Sequence, residues 1–199
     1  MSIQISSTSN NIVDTDTNKN IDVRYGICTQ GGYTLAQAPV GIVAASLAAD
    51  VTLAYLYNYV GSRTAYFKKI TISFVSATAG ATTLVGGAMG LQRINTLGLY
   101  PTAIPIPNRN NESYERSAII SLSSAAAITM TNAVFGSEIT WWRIPIFINT
   151  IDAGRADYIF QPDYPLVVPP FEGLAFRIRV ALPATQTIVY SYTAEWWEK

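Results

Sequence analysis

Two carboxylate pairs, Asp152 with Asp157 and Glu112 with Glu115, come nearest to catalysis in type and spacing in this 199-residue chain. A glycosidase needs such a pair: one carboxylic acid protonates the leaving oxygen, and one carboxylate attacks or activates water. Both pairs lie in polar loop sequence beside Arg155, Arg109 or Arg116, where solvated, ion-paired charge is the expected state. Other chemistries are excluded more firmly. The chain has no histidine and one cysteine, Cys28. No Ser-His-Asp or Cys-His arrangement, imidazole zinc site or cysteine cluster can therefore be assembled. Cys28 reads as a small buried hydrophobe, and a disulfide within the chain is impossible. "VGGAMG" at residues 85–90 resembles a phosphate loop superficially, but it lacks the lysine and the following helix. "DAGRAD" lacks the dense oxygen-ligand spacing of a calcium loop. The reading is non-enzymatic, with no catalytic residue, no cofactor and no metal.

Binding chemistry is only slightly better represented. Lys68 and Lys69 with Tyr66 and Phe67 form the densest basic-aromatic cluster. Thirteen Lys and Arg balance thirteen Asp and Glu, so no broad cationic face exists to neutralise phosphates. Nucleic acid is not an expected partner. The loop "NRNNESYER", residues 108–116, combines amides with an aromatic ring and could hold a sugar, the ring on a pyranose face and the amides on its hydroxyls.

The elements that must position these residues read as strands. In "KITISFV", Ile70, Ile72 and Phe74 share one face and Thr71 and Ser73 the other. "FRIRVAL" puts Phe176, Ile178 and Val180 inward and Arg177 and Arg179 outward. "TIVYSYTAEW" groups Ile188, Tyr190, Tyr192 and Trp196, and "ITWWRIPIFIN" groups Trp142, Ile144, Ile146 and Ile148. Gly- and Pro-containing turns separate the runs. Short helices are conceivable at residues 123–129 and within residues 38–49. Many short strands with such punctuation predict an all-β protein, a single sandwich of Greek-key jelly-roll form over residues 23–199. Residues 1–22 are Ser, Thr, Asn and Asp-rich and too polar to fold alone. They read as an extended arm that docks on a neighbour through Ile3, Ile5, Ile12 and Val13.

Composition points to covered surfaces. Hydrophobic residues make up 49% of the chain and charged residues 13%, about half the usual charged share. Residues 40–60 are the best membrane candidate, but Asp50 sits at their centre and a polar stretch precedes them, so neither a span nor a signal peptide is expected. Residues 25–62 hold one charge, Asp50, and residues 70–92 and 117–137 hold none. Strands without charge on either face are expected where both faces are covered. Pro145 interrupts the Trp-containing strand and donates no ladder hydrogen bond, which makes that strand an edge. Adjacent side chains on a strand point to opposite faces, so each Trp-Trp pair turns one indole outward. These are Trp141, beside Arg143, and Trp197, near the carboxyl terminus.

Three stretches resemble a diffuse family of tailed-phage virion structural proteins with a jelly-roll-type β domain. They are "RTAYFKKITISFVSATAGATTLVGGAMGLQRIN", "RIPIFINTIDAGRADYIFQPDYPLVVPPFEGLAFRIRV" and the terminal "TQTIVYSYTAEWWEK". Their order and spacing carry the resemblance, with Gly173 in "PPFEGLAFRI" supplying a tight turn. It implies a head decoration, cement or fibre-base component, often trimeric, located on the virion, foremost the head surface, after synthesis in the host cytoplasm. The implied partners are further copies of the chain and the major capsid protein or another virion protein. Trp141, Arg143 and Trp197 are then the subunit-contact residues of the body. The alternative function is a carbohydrate- or host-receptor-binding module of a head or tail fibre.

Overall fold

The computed structural model describes residues 5–6, 12–15, 21–22, 32–43, 48–76, 87–98, 104–105, 117–144, 155–180 and 187–199. Fifteen strands lie within them, and no helix is present among the described residues. β1 (Ile5–Ser6), β2 (Ile12–Thr15) and β3 (Ile21–Asp22) pair with one another in antiparallel order, Ile5 opposite Val13 and Ser6 opposite Ile12. Ile3 lies outside the described residues.

The body begins with β4 (Gly32–Ala36), β5 (Val40–Val43), β6 (Thr52–Asn58), β7 (Ala65–Ser76) and β8 (Gly87–Thr96). It continues with β9 (Ile104–Pro105), β10 (Ile119–Ile128), β11 (Val134–Ile144) and β12 (Arg155–Phe160). β13 (Leu166–Val168), β14 (Gly173–Val180) and β15 (Thr187–Glu198) complete it. One sheet runs β11-β8-β14-β6-β10-β9, and the other runs β12-β7-β15-β4, with β13 also on β7 and β5 also on β15. The pairs β4–β15, β6–β14, β7–β12 and β8–β11 are nested in sequence and fall alternately in the two sheets. That is the winding of a jelly roll, with β9 and β10 added at the β6 edge.

Period-two alternation forms the core. Ile70, Ile72 and Phe74 of β7 and Ile188, Tyr190, Tyr192 and Trp196 of β15 are buried. They face Leu53, Leu56, Met89, Leu91, Leu174, Phe176 and Ile178 of the other sheet in one cluster. Phe176 and Tyr192 stack across the gap at 4.5 Å between ring centres. β11 is an edge strand, as Pro145 predicts, with Trp142 and Ile144 buried behind it.

A second apolar cluster covers part of the outer face of the first sheet. Tyr55, Tyr57, Ile94, Leu97, Ile120, Ile128 and Ala175 belong to it, with Leu122, Met130 and Phe135 packed alongside. Every residue of β6 is therefore buried, which accounts for the missing charge in that part of the sequence.

Three expectations fail, two of them at irregularities of the ladder. Residues 123–128 are strand, not helix: β10 keeps pairing with β6 but slips between Ser123 and Ile128, and the intervening small residues loop outward. Residues 40–43 are likewise strand β5, paired with β15. Val180, expected inside, is exposed, because the register slips between Ile178 and Val180 and the alternation is offset beyond the bulge.

Candidate functional site

The outer face of the first sheet carries the densest group of charged side chains among the described residues, next to its most exposed indole. Strand register builds it. Trp141 of β11 lies opposite Gly90 of β8, and Gly90 lies opposite Arg177 of β14. Gly90 leaves room for what lies over it: a Cβ there would stand 2.3 Å from Glu138 Oε1 and 2.9 Å from Arg179 Cγ, so those side chains would have to shift. The two side chains rest flat on the sheet above this gap. Arg179 donates from Nε to Glu138 Oε1 at 3.1 Å and from Nη2 to Oε2 at 3.0 Å, a two-pronged pair. Its Nη1 donates to the carboxylate of Asp50.

Asp50 occupies the turn before β6 with φ at +66°, a left-handed conformation in which Asp is one of the few non-glycine residues tolerated. Its backbone N–H donates to Ile178 O at 2.6 Å, and its own carbonyl accepts from Arg177 Nη2. Arg177 also donates from Nη1 to Gln92 Oε1 at 2.7 Å, and its guanidinium lies 4.0 Å from the centre of the Phe135 ring. Partial burial pushes the Arg177 guanidinium below its ordinary pKa, with Asp50 acting the other way. The hydrogen bond to Glu138 raises Arg179 above its ordinary value. Both remain cations at any ordinary pH.

Beside this network Trp141 is 57% exposed and Arg143 is exposed on the same face of the edge strand. Among the described residues Arg143 has no carboxylate partner, whereas Arg63, Arg93 and Arg155 each have one and Arg179 has two. Trp197 also points outward, but Tyr66 stacks on it at 5.7 Å with the planes 7° apart, leaving it half-buried. The outward-facing indoles thus differ: Trp197 is occupied within the chain and Trp141 is available.

The remaining candidates are dispersed. Phe67 is buried, and Tyr66 is taken by Trp197, so Lys68 and Lys69 lack the free aromatic faces that a nucleic-acid platform needs. Asp157 lies opposite Ser73 in the β12–β7 register and pairs with Arg155 at 2.8 Å. The hydrogen bond from Ser73, then that from Arg155, holds its carboxyl below the usual carboxylate range, so it is ionised. Asp152, Glu112, Glu115, Cys28 and residues 108–116 lie outside the described residues. No group of three or more potential metal-binding side chains occurs among the described residues, and no helix among them is long and apolar enough to cross a membrane.

Sequence reasoning missed the partners of Arg177 and Arg179. The available signal was Asp50 itself, the single charge in residues 25–62 and so the natural place for a long-range ion pair. Compared with known proteins, the chain matches no protein-family model and no curated protein.

Proposed function

We propose that the protein is a non-enzymatic structural component of a phage particle, a capsid decoration or cement protein that associates with itself and bridges capsid subunits. The observation that carries this reading is Trp141, an exposed indole beside Arg143, which has no carboxylate partner among the described residues, on an edge strand of a charge-poor jelly roll. Tryptophan and arginine are the side chains most enriched where interfaces are tightest, and edges are where strands recruit neighbours. Cementing is mechanical: apolar area removed from water across a subunit junction contributes about 25 cal/mol per Å² before the cost of association. Repetition over a symmetric shell multiplies weak contacts.

Gold-labelled antibody against the protein, applied to purified virus particles from cells carrying the gene, tests the reading. Grains over the heads support it; unlabelled particles refute it. Removing residues 1–22 is expected to abolish attachment while leaving the jelly roll folded. Full occupancy by the truncated protein would contradict the role given to the arm.

A further inference from the structure

We propose that β11 pairs with β11 of a second copy of the chain, antiparallel, about a two-fold axis through Trp141. The inference rests on the self-association in the proposed function and selects, among the assemblies that reading allows, one containing a two-fold axis. It does not depend on which particle the assembly decorates.

The strand is built to match itself. β11 is the outermost strand of its sheet and pairs with β8 alone among the described strands. Its two charges are Glu138 and Arg143. Against β8 the register runs Arg143–Ala88, Trp142–Met89, Trp141–Gly90, Thr140–Leu91, then Glu138–Gln92, so Ile139 is the extra residue of a bulge. The bulge returns Glu138 to the outer face, alongside Trp141 and Arg143. A strand laid antiparallel on the open edge meets the same spacing. With Trp141 opposite its own copy, Trp142 falls opposite Thr140, and Arg143 falls opposite Glu138. The two indoles then lie side by side, flanked on each side by an Arg–Glu pair.

The side chains have the capacity for this. Arg143 has no carboxylate partner among the described residues. Each oxygen of Glu138 accepts one bond from Arg179, which leaves a second lone pair on each, and the side chain is one-third exposed. Opposite-charge and aromatic cross-strand pairs are the units that stabilise antiparallel ladders. A strand of this kind opposed to itself is an isologous contact, in which each residue meets the partner that its copy meets in return.

The test is register-specific. In a Cys28→Ser background, Trp141→Cys places two thiols directly across the axis, within the Cα separation that a disulfide spans. Under mild oxidation with oxidised glutathione it is expected to give a covalent dimer on a non-reducing gel. Ser137→Cys, exposed on the same strand but away from the axis, is expected not to. Arg143→Glu sets two carboxylates against each other and is expected to weaken dimerisation at least tenfold by sedimentation equilibrium, whereas Arg143→Lys retains most of it. Arg143 is exposed, so this arm stands even if Trp141→Cys fails to fold, which circular dichroism reports. An oligomer whose mass is indifferent to Arg143→Glu, or is that of three chains, overturns the β11 pairing while leaving self-association in place. A chain that stays monomeric at every concentration overturns both.

Discussion

Both carboxylate oxygens of Glu198 lie 2.9 Å from the backbone nitrogen of Ala118, eighty residues earlier in the chain. The same carboxylate accepts from Ser117 Oγ and, at 3.1 Å, from Trp196 Nε1, and Arg63 Nη1 stands 3.6 Å away. Ser117 Oγ in turn accepts from Ile119 N–H at 2.9 Å. The carboxylate is buried, so Ser117 Oγ, the Ala118 N–H and Trp196 Nε1 depend on it for their acceptor. It clamps the end of β15, the central strand of one sheet, to the start of β10 in the other. Glu198→Ala is expected to lower unfolding free energy by about 3 kcal/mol, since it strands the buried donors of Ser117, Ala118 and Trp196. Glu198→Gln, which keeps one acceptor but presents an amide N–H to donors, is expected to lose about half as much. Urea unfolding midpoints measure both; an unchanged midpoint for Glu198→Ala would remove the clamp from the account.

Gly173 begins β14 opposite Tyr57 of β6. A Cβ there would lie 2.5 Å from Leu56 O and 3.1 Å from Tyr57 Cα, both backbone atoms of a fully buried strand that cannot withdraw. Gly173→Ala is expected to cost about 1–3 kcal/mol by overpacking. In a chain of this size that lowers the melting temperature by several degrees, roughly 2–4 °C per kcal/mol. Gly41, around which a Cβ meets nothing within 4 Å, is the control, and Gly41→Ala is expected to melt like the parent.

The jelly roll was legible because β15 alternates strictly over twelve residues and β7 does so from Ile70 to Val75, beyond the bulge at Lys68 and Lys69, and because Pro145 marks β11 as an edge. The parity of both Trp-Trp pairs was legible for the same reason. What escaped was every place where the alternation slips. The bulges at Ile139, before Val180 and between Ser123 and Ile128 are made of ordinary strand or small residues and leave no mark in the sequence. The site was half legible. Trp141 and Arg143 follow from local pattern alone. The Asp50–Arg179 pair and the Glu198 clamp join residues far apart in the chain, and local pattern contains no term for them. An acidic residue next to the terminus reads as solvated until its distant donors are placed around it.

Alkaline pH should unfold the protein through two tyrosines. Burial pushes the Tyr190 hydroxyl up to about 12, against hydrogen bonds to Ser124 and Ser123 that act the other way. Burial pushes Tyr192 up as well. A folded-state pKa above the unfolded value near 10 means that the native protein keeps a proton the unfolded chain has lost. The stability Tyr190 contributes is thus fully present below about pH 10 and is lost as pH rises towards about 12. A two-unit gap corresponds to roughly 2–3 kcal/mol. Absorbance at 295 nm should show a late-ionising tyrosine fraction coincident with loss of the β-sheet circular dichroism signal. Tyr190→Phe should remove part of that late fraction and flatten the fall in stability above pH 10. Complete ionisation near pH 10 with the fold intact would contradict the assigned environment.

Iodide quenching should separate Trp141 from the other three tryptophans. Trp142 and Trp196 are 5% and 2% exposed, and Trp197 is half-covered by Tyr66, whereas Trp141 is 57% exposed. Iodide is a hydrated anion that reaches only indoles open to water, and Arg143 beside Trp141 draws it closer. In dilute protein the quenchable emission is therefore expected to come mainly from Trp141, and Trp141→Phe should remove more than half of it. Raising the protein concentration should protect that same fraction as β11 meets its copy, and Arg143→Glu should delay the protection to higher concentration. Quenching that is unchanged by Trp141→Phe would show that the indole is already covered within one chain. Quenching that is unchanged by concentration would show that no copy covers it.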